Sequence, residues 1–212
     1  MEALVRWQHP TLGLVPPNDF IPLAEEIGLI VPLGSWVLRH ACCQMALWRA
    51  SGDPAAPDLV AVNLSPRQMG DPGLVATVQA CLAESDLPGS ALCLEITEGV
   101  LIADAEKGMR VLRGLKELGV RIAVDDFGTG YSSLSYLRRF PIDVVKIDRS
   151  FVKGLGSDPQ ASAIVGAIIT MARALGIATL AEGVEEASQL EALGTLGCDM
   201  AQGFLLGRPT PA

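Results

Sequence analysis

Short apolar runs alternate along the chain with longer stretches whose apolar residues recur every three or four positions. The runs 2–7, 59–64, 91–96, 120–125, 142–147, 177–182 and 199–202 are brief and rich in Val, Ile, Leu or Ala, which predicts seven strands. Between them the three-to-four spacing predicts helices. Val111, Leu112, Leu115 and Leu118 make one apolar face, and 161–175 is apolar on nearly every side, which predicts deep burial. Gly119, Gly176 and Gly197 each follow a helical run directly, where a left-handed cap is wanted. Such alternation predicts an α/β fold with a parallel sheet, closed as a barrel or left open and doubly wound. The glycine fingerprint of dinucleotide binding is missing after the first strand, which weakens the open form. Seven strands are one fewer than a complete eight-stranded barrel.

The polar residues that close these runs change the picture. Asn63 ends LVAVNL, Glu95 ends ALCLEI, Asp125 and Asp126 end VRIAVDD, Lys146 ends IDVVKI, Glu182 ends IATLAE and Gln202 ends DMAQ. A carboxylate or lysine at the end of a buried strand is costly unless it is paired, solvated or bound to a metal. In α/β folds the carboxyl ends of parallel strands open on one face, and that face carries the sites. An all-oxygen ligand set with no His or Cys suits a hard divalent cation, and several carboxylates gathered together repel one another without one. Two cations bridged by a carboxylate make a clamp for phosphoester hydrolysis. Adjacent Asp125 and Asp126 would point to opposite faces of an ideal strand, so both serve one site only if the chain turns there; Gly128 and Gly130 favour a turn. By the two-residue period Glu2, Leu4 and Arg6 share a face, offering a metal ligand and a phosphate-binding fork.

Composition narrows the classes. Of 212 residues half are hydrophobic, enough for a sizeable core without staples. The excess of acids, 24 against 16 bases, argues against a nucleic-acid polymer as partner but not against a small phosphate ligand held by metals. The longest uncharged run, Pro159–Ala172, has 14 residues, below the ~20 that span a bilayer. The start Met1-Glu2-Ala3-Leu4-Val5-Arg6 has neither the basic charge nor the apolar stretch of a signal peptide, so neither export nor a membrane segment is expected. Five cysteines without a C-x-x-C pair read as reduced thiols, buried for the most part, in a cytoplasmic protein. His9 and His40 read as non-ligands, and Trp7, Trp36 and Trp48 as packing residues. Asp126-Phe127-Gly128 spells a kinase tripeptide, but the other kinase signatures are absent.

Taken in order, Glu2-Ala3-Leu4-Val5-Arg6, Asn63-Leu64-Ser65, Glu95-Ile96-Thr97-Glu98, Asp125-Asp126-Phe127-Gly128-Thr129-Gly130-Tyr131-Ser132-Ser133, Lys146-Ile147-Asp148, Glu182-Gly183-Val184-Glu185 and Gln202-Gly203-Phe204 form a specific set. With them the chain, over essentially its whole length, resembles the EAL domain, the bacterial cyclic di-GMP phosphodiesterase family. The resemblance implies a modified TIM (βα)8 barrel, here without the strand and helix that members usually carry before the Glu-Ala-Leu motif, and one EAL domain over 1–212 belonging to a longer protein. It implies hydrolysis of cyclic di-GMP to linear 5′-pGpG with two Mg²⁺ or Mn²⁺ ions, and inhibition by Ca²⁺, which is larger and would misplace the water.

By motif, Glu2, Asn63, Glu95 and Asp125 look like ligands of one ion, and Asp126 and Glu185, with Asp125 bridging, like the environment of the second. Lys146 looks like the group that holds the attacking water, Glu182 like the general base or water-orienting carboxylate, and Gln202 like its helper. Leu4 and Arg6 look like substrate-binding residues, and Glu98 like a support for the loop 127–133, whose Tyr131 would serve loop docking or a dimer contact. A homodimer, upstream sensor or cyclase domains, and membrane anchoring of the full-length protein are all compatible with the resemblance. The competing readings are a non-catalytic cyclic di-GMP receptor on the same fold, which would lose metal or water-positioning residues that this chain keeps, and a different metal-dependent barrel hydrolase.

Overall fold

A computed structural model describes residues 1–103, 105–128 and 137–211. The loop expected around Tyr131, from 129 onward, lies outside the described residues. The chain forms two compact units, Met1–Ile96 with Ala103–Arg121, and Thr97–Ile102 with Ile122–Ala212.

In the first unit, β1 (Glu2–Ala3) and β5 (Leu92–Thr97) flank β4 (Val60–Leu64), both in parallel, with Glu2 opposite Ala61 and Asn63 opposite Glu95. Four of the five β4 residues are buried, and Asn63 is exposed at the strand's end. Helix α1 (Pro17–Glu26) starts on a proline, whose fixed φ suits the first turn. It leads into α2 (Ile30–Ser51), which lies against β4 and α4 (Leu74–Ser85) and buries Leu38, Cys42 and Met45. Gly34 lets α2 approach the short helix α3 (Pro66–Met69), because a Cβ there would lie 1.9 Å from Gln68 Nε2. Helix α6 (Ala105–Glu117) buries Leu112 and Leu115, as its periodicity predicts.

The first expected strand is wrong beyond its start. Pairing with β4 ends at Ala3, and Trp7–His9 (β2) instead forms an antiparallel hairpin with Gly13–Val15 (β3). The hairpin turn uses Gly13 at φ +73° and His9 Nδ1, which accepts from the amides of Thr11 and Leu12. Leu4 and Arg6 lie between β1 and this hairpin, outside any strand. Both are exposed, and the Arg6 guanidinium donates to Val5 O.

In the second unit, β6 (Arg121–Phe127), β7 (Val144–Ile147), β8 (Ala178–Ala181) and β9 (Met200–Ala201) pair in parallel in that order. Glu98–Ala103 forms α5, and the helices after β7 are α7 (Arg149–Val152), α8 (Pro159–Ala174) and α9 (Ala187–Leu196). Helix α8 buries one face, Ala161, Val165, Ile168, Ile169 and Ala172, while Ile164 stays 44% exposed, so burial all round does not hold. The three glycines expected at helix ends have φ of +81°, +71° and +77° at 119, 176 and 197.

Asp199 ties β8 to the turn before β9, its Oδ2 accepting from both Thr179 N and Thr179 Oγ1 at 2.8 Å. These bonds hold the Asp199 carboxyl below the ordinary carboxylate range. The bonds therefore stabilise the fold above the unfolded carboxyl value of ~3.9 and are lost as pH falls through the lower folded value. Thr179→Val removes the hydroxyl bond at a buried position. It is expected to cost about 1 kcal/mol at pH 7, with the penalty shrinking below about pH 4, measured by urea unfolding across pH.

All five cysteines are free; Cys42, Cys81 and Cys93 are buried, Cys43 is exposed and Cys198 is half-buried. Burial, with the nearby Cys81 and Cys43 adding, pushes the Cys42 thiol up to about 12, so it is an inert core group. Among the described residues no helix is long and apolar enough to cross a membrane. Trp7 and Trp36 pack at the surface, edge-on to Phe20 and against His40 respectively.

Candidate active site

Strand ends carry the site residues, and each unit gathers its own set. In the first unit Asn63 Nδ2 donates to Glu2 Oε1 at 2.7 Å. With its amide nitrogen turned to Glu2, Asn63 has its carbonyl left to offer a cation. Glu95 stands opposite Asn63 in the register and is buried to 4% exposure. The turn after Asn63 is locked by a capping box: Gln68 N donates to Ser65 Oγ, and Ser65 N donates to Gln68 Oε1, both at 3.2 Å.

In the second unit the two adjacent aspartates are reconciled by a bulge. Val124 pairs with Val145 and Phe127 with Ile147, so β6 fits three steps against two of β7. Asp126 has φ +53° and donates its amide to Asp125 Oδ1 at 2.9 Å. The turn expected from the glycines thus begins at Asp126 itself, a conformation that aspartate tolerates better than most residues. It is continued by Gly128 at φ +97°.

The bulge brings Asp125, Asp126 and Glu182 together, each with a carboxylate oxygen within 4.8 Å of the others. Three carboxylates at that spacing fit a hard cation. Partial withdrawal from water, then the charges of Asp125 and Asp148, raises the Asp126 carboxyl above its ordinary range, against the pull of Lys146 and Arg149.

Lys146 lies beneath them with its side chain 1% exposed. Its ammonium is 2.8 Å from Glu182 Oε1 and 3.2 Å from Asp125 Oδ1. A lysine buried this far is tolerated only because carboxylates meet it. Strand pairing sets the spacing. Lys146 stands opposite Leu180, Glu182 N donates to Ile147 O at 3.0 Å, and Gln202 N donates to Ala181 O at 2.8 Å.

Gly183, at φ +70°, follows Glu182 where a Cβ would lie 2.5 Å from Arg149 Cβ. Glu185 is exposed beyond it. Glu98 begins α5, and most of the loop it was expected to support lies outside the described residues. Neither histidine joins the acidic cluster.

The model of the EAL domain matches residues 1–209 of this chain. The chain belongs to the EAL domain family. Its fold is therefore the modified TIM barrel expected above. The chain is 50% identical over its whole length to the bifunctional diguanylate cyclase/cyclic di-GMP phosphodiesterase MucR of Pseudomonas aeruginosa, of which it covers 31%. It is 44% identical, again over its whole length, to the cyclic di-GMP phosphodiesterase PdeR of Escherichia coli, covering 32%. It thus spans about a third of the length of these relatives. The solved PaMucR phosphodiesterase in complex with c-di-GMP superposes with a TM-score of 0.94 at 50% identity, covering all of this chain and 85% of that one.

Two glutamines escaped the sequence reading, Gln68 and Gln189, both buried. Ser65-x-x-Gln68 is a legible capping box. Glu186-x-x-Gln189 is hidden because its first residue is not the Ser or Thr that marks one.

Proposed function

We propose that this EAL domain hydrolyses cyclic di-GMP to linear 5′-pGpG in the cytoplasm, using two Mg²⁺ or Mn²⁺ ions. The observation that carries the reading is the buried Lys146 ammonium paired with both Asp125 and Glu182, in contact with a three-carboxylate cluster. Five free thiols suit a reducing compartment. Glu2, Asn63, Glu95 and Asp125 would hold one ion, and Asp125, Asp126 and Glu185 the other. Bound there, the cations would acidify a water molecule and offset charge on the phosphate oxygens.

The chain's own groups do the rest. Lys146 donates to the attacking water, whose oxygen bonds to the phosphorus as the P–O3′ bond breaks and the 3′-oxygen leaves. Glu182, 2.8 Å from the lysine, takes the proton that the water gives up. Gln202, held beside Glu182 by main-chain pairing, orients the same water through its side-chain amide. Arg6 lies outside β1 and exposed, so it would reach a substrate phosphate from the rim, with Leu4 against the ligand. By its motif Glu98 is assigned as a support for the loop 127–133.

Incubation with cyclic di-GMP and Mn²⁺, followed by chromatography of the nucleotides, tests the reading. Accumulation of pGpG supports it. Tight binding with no pGpG would favour a receptor, and cleavage of other phosphodiesters alone a different hydrolase. Replacing Mg²⁺ by Ca²⁺ is expected to lower the initial rate at least about tenfold while substrate still binds. The longer, looser Ca²⁺–oxygen bonds would displace the water from Lys146 and Glu182. Rates at matched ion concentrations check this.

A further inference from the structure

Helix α9 begins with a buried side chain that has no part in the chemistry described so far. Gln189 is 5% exposed, and its Oε1 accepts from Glu185 N at 2.8 Å and from Glu186 N at 3.0 Å. An amide carbonyl withdrawn from water must be satisfied, and here two consecutive backbone amides do so. The preceding residue is gripped from the other side. Val184 is fully buried, its amide donates to Gln202 O at 3.0 Å, and its carbonyl accepts from Leu205 N at 3.0 Å. Gly203 approaches so closely that a Cβ there would lie 2.2 Å from both Val184 N and Val184 O. The main chain from 184 to 186 is therefore fixed on both sides, while the Glu185 side chain is exposed. An exposed glutamate has many rotamers, so its reach is set by where its backbone is held.

We propose that Gln189 is a positioning residue, which fixes the backbone of Glu185 so that its carboxylate meets the second cation. The proposal rests on the metal assignment made above. Gln189 would reach the metal only through the main chain, because its carbonyl is spent on the amides of Glu185 and Glu186. Residues that orient a metal's ligands typically cost 10–100-fold in metal affinity when changed.

The test uses Gln189→Met, which keeps length and removes the acceptor, and Gln189→Asn, which is one methylene too short. Mn²⁺ alone is titrated into each protein, and the free ion is followed by its electron paramagnetic resonance signal. The weaker of the two Mn²⁺ dissociation constants is expected to rise about tenfold. The Mn²⁺ concentration giving half-maximal pGpG formation should rise equally, with kcat at saturating Mn²⁺ within about threefold of wild type. In a Glu185→Gln background, Gln189→Met should change Mn²⁺ binding less than about twofold, because its route to the metal is already cut. A lower melting temperature with unchanged Mn²⁺ binding would overturn the proposal. So would an equal effect in both backgrounds, or failure of both variants to fold. Wild-type protein that binds Mn²⁺ but makes no pGpG would sink the phosphodiesterase reading instead, since the binding titration stands apart from turnover.

Discussion

Replacing Lys146 with methionine is expected to lower kcat for pGpG formation by roughly 10²–10³-fold, the usual cost of losing one preorganised donor at a reacting centre. Affinity for cyclic di-GMP should change far less. Methionine matches the lysine's length and apolar stem, so the 1%-exposed site stays filled. What disappears is the ammonium, 2.8 Å from Glu182 and 3.2 Å from Asp125. Breaking a buried ion pair leaves uncompensated charge, and this can cost several kcal/mol. Here both carboxylates are partly exposed, at 17% for Asp125 and 20% for Glu182, and divalent cations would partner them as well. The melting temperature should therefore fall in the absence of metal and recover when Mn²⁺ is added. Steady-state kinetics, calorimetric binding of cyclic di-GMP with Ca²⁺ present to suppress turnover, and thermal melts with and without Mn²⁺ check the three parts.

Asp125→Asn is expected to weaken divalent binding by at least about 100-fold and to bring turnover below detection. This exceeds the 10–100-fold typical of groups that merely support a ligand. Asparagine keeps the side-chain oxygen that accepts from Asp126 N at 2.9 Å, so the bulge and the φ of +53° at Asp126 should persist. The charge alone is removed, from a residue assigned to both ions. Titration with Mn²⁺, read from the free-ion resonance, gives the affinity, and a circular dichroism spectrum like that of wild type shows that the fold survives.

How much of this was legible in sequence follows from what each residue answers to. Asn63, Glu95, Lys146 and Glu182 could be placed at strand ends because their neighbours are apolar and the strands are short and parallel. A polar residue closing such a run has few other places to go.

What failed depended on partners distant in sequence or on local backbone geometry. Period-two alternation predicts one strand over 2–7. Strand length, however, is set by pairing, and β1 pairs only through Ala3 before the hairpin takes over. Adjacent Asp125 and Asp126 announced that a turn was needed, yet nothing in the letters said that Asp126 would itself adopt a positive φ. Gln189 looked like any helix-surface amide, because its role exists only once the 184–186 main chain has folded against it.

The central claim is that carboxylates at these strand ends hold cations with which Lys146 and Glu182 open a cyclic dinucleotide. The most direct test strips the protein with a chelator, removes the chelator by dialysis, and titrates Mn²⁺ back in the presence of cyclic di-GMP while pGpG is quantified. The account predicts no product without metal, then a saturable rise in pGpG with added Mn²⁺ that Lys146→Met all but abolishes. Product formed at the same rate in stripped protein, or cyclic di-GMP bound at saturating Mn²⁺ with no pGpG, would contradict it.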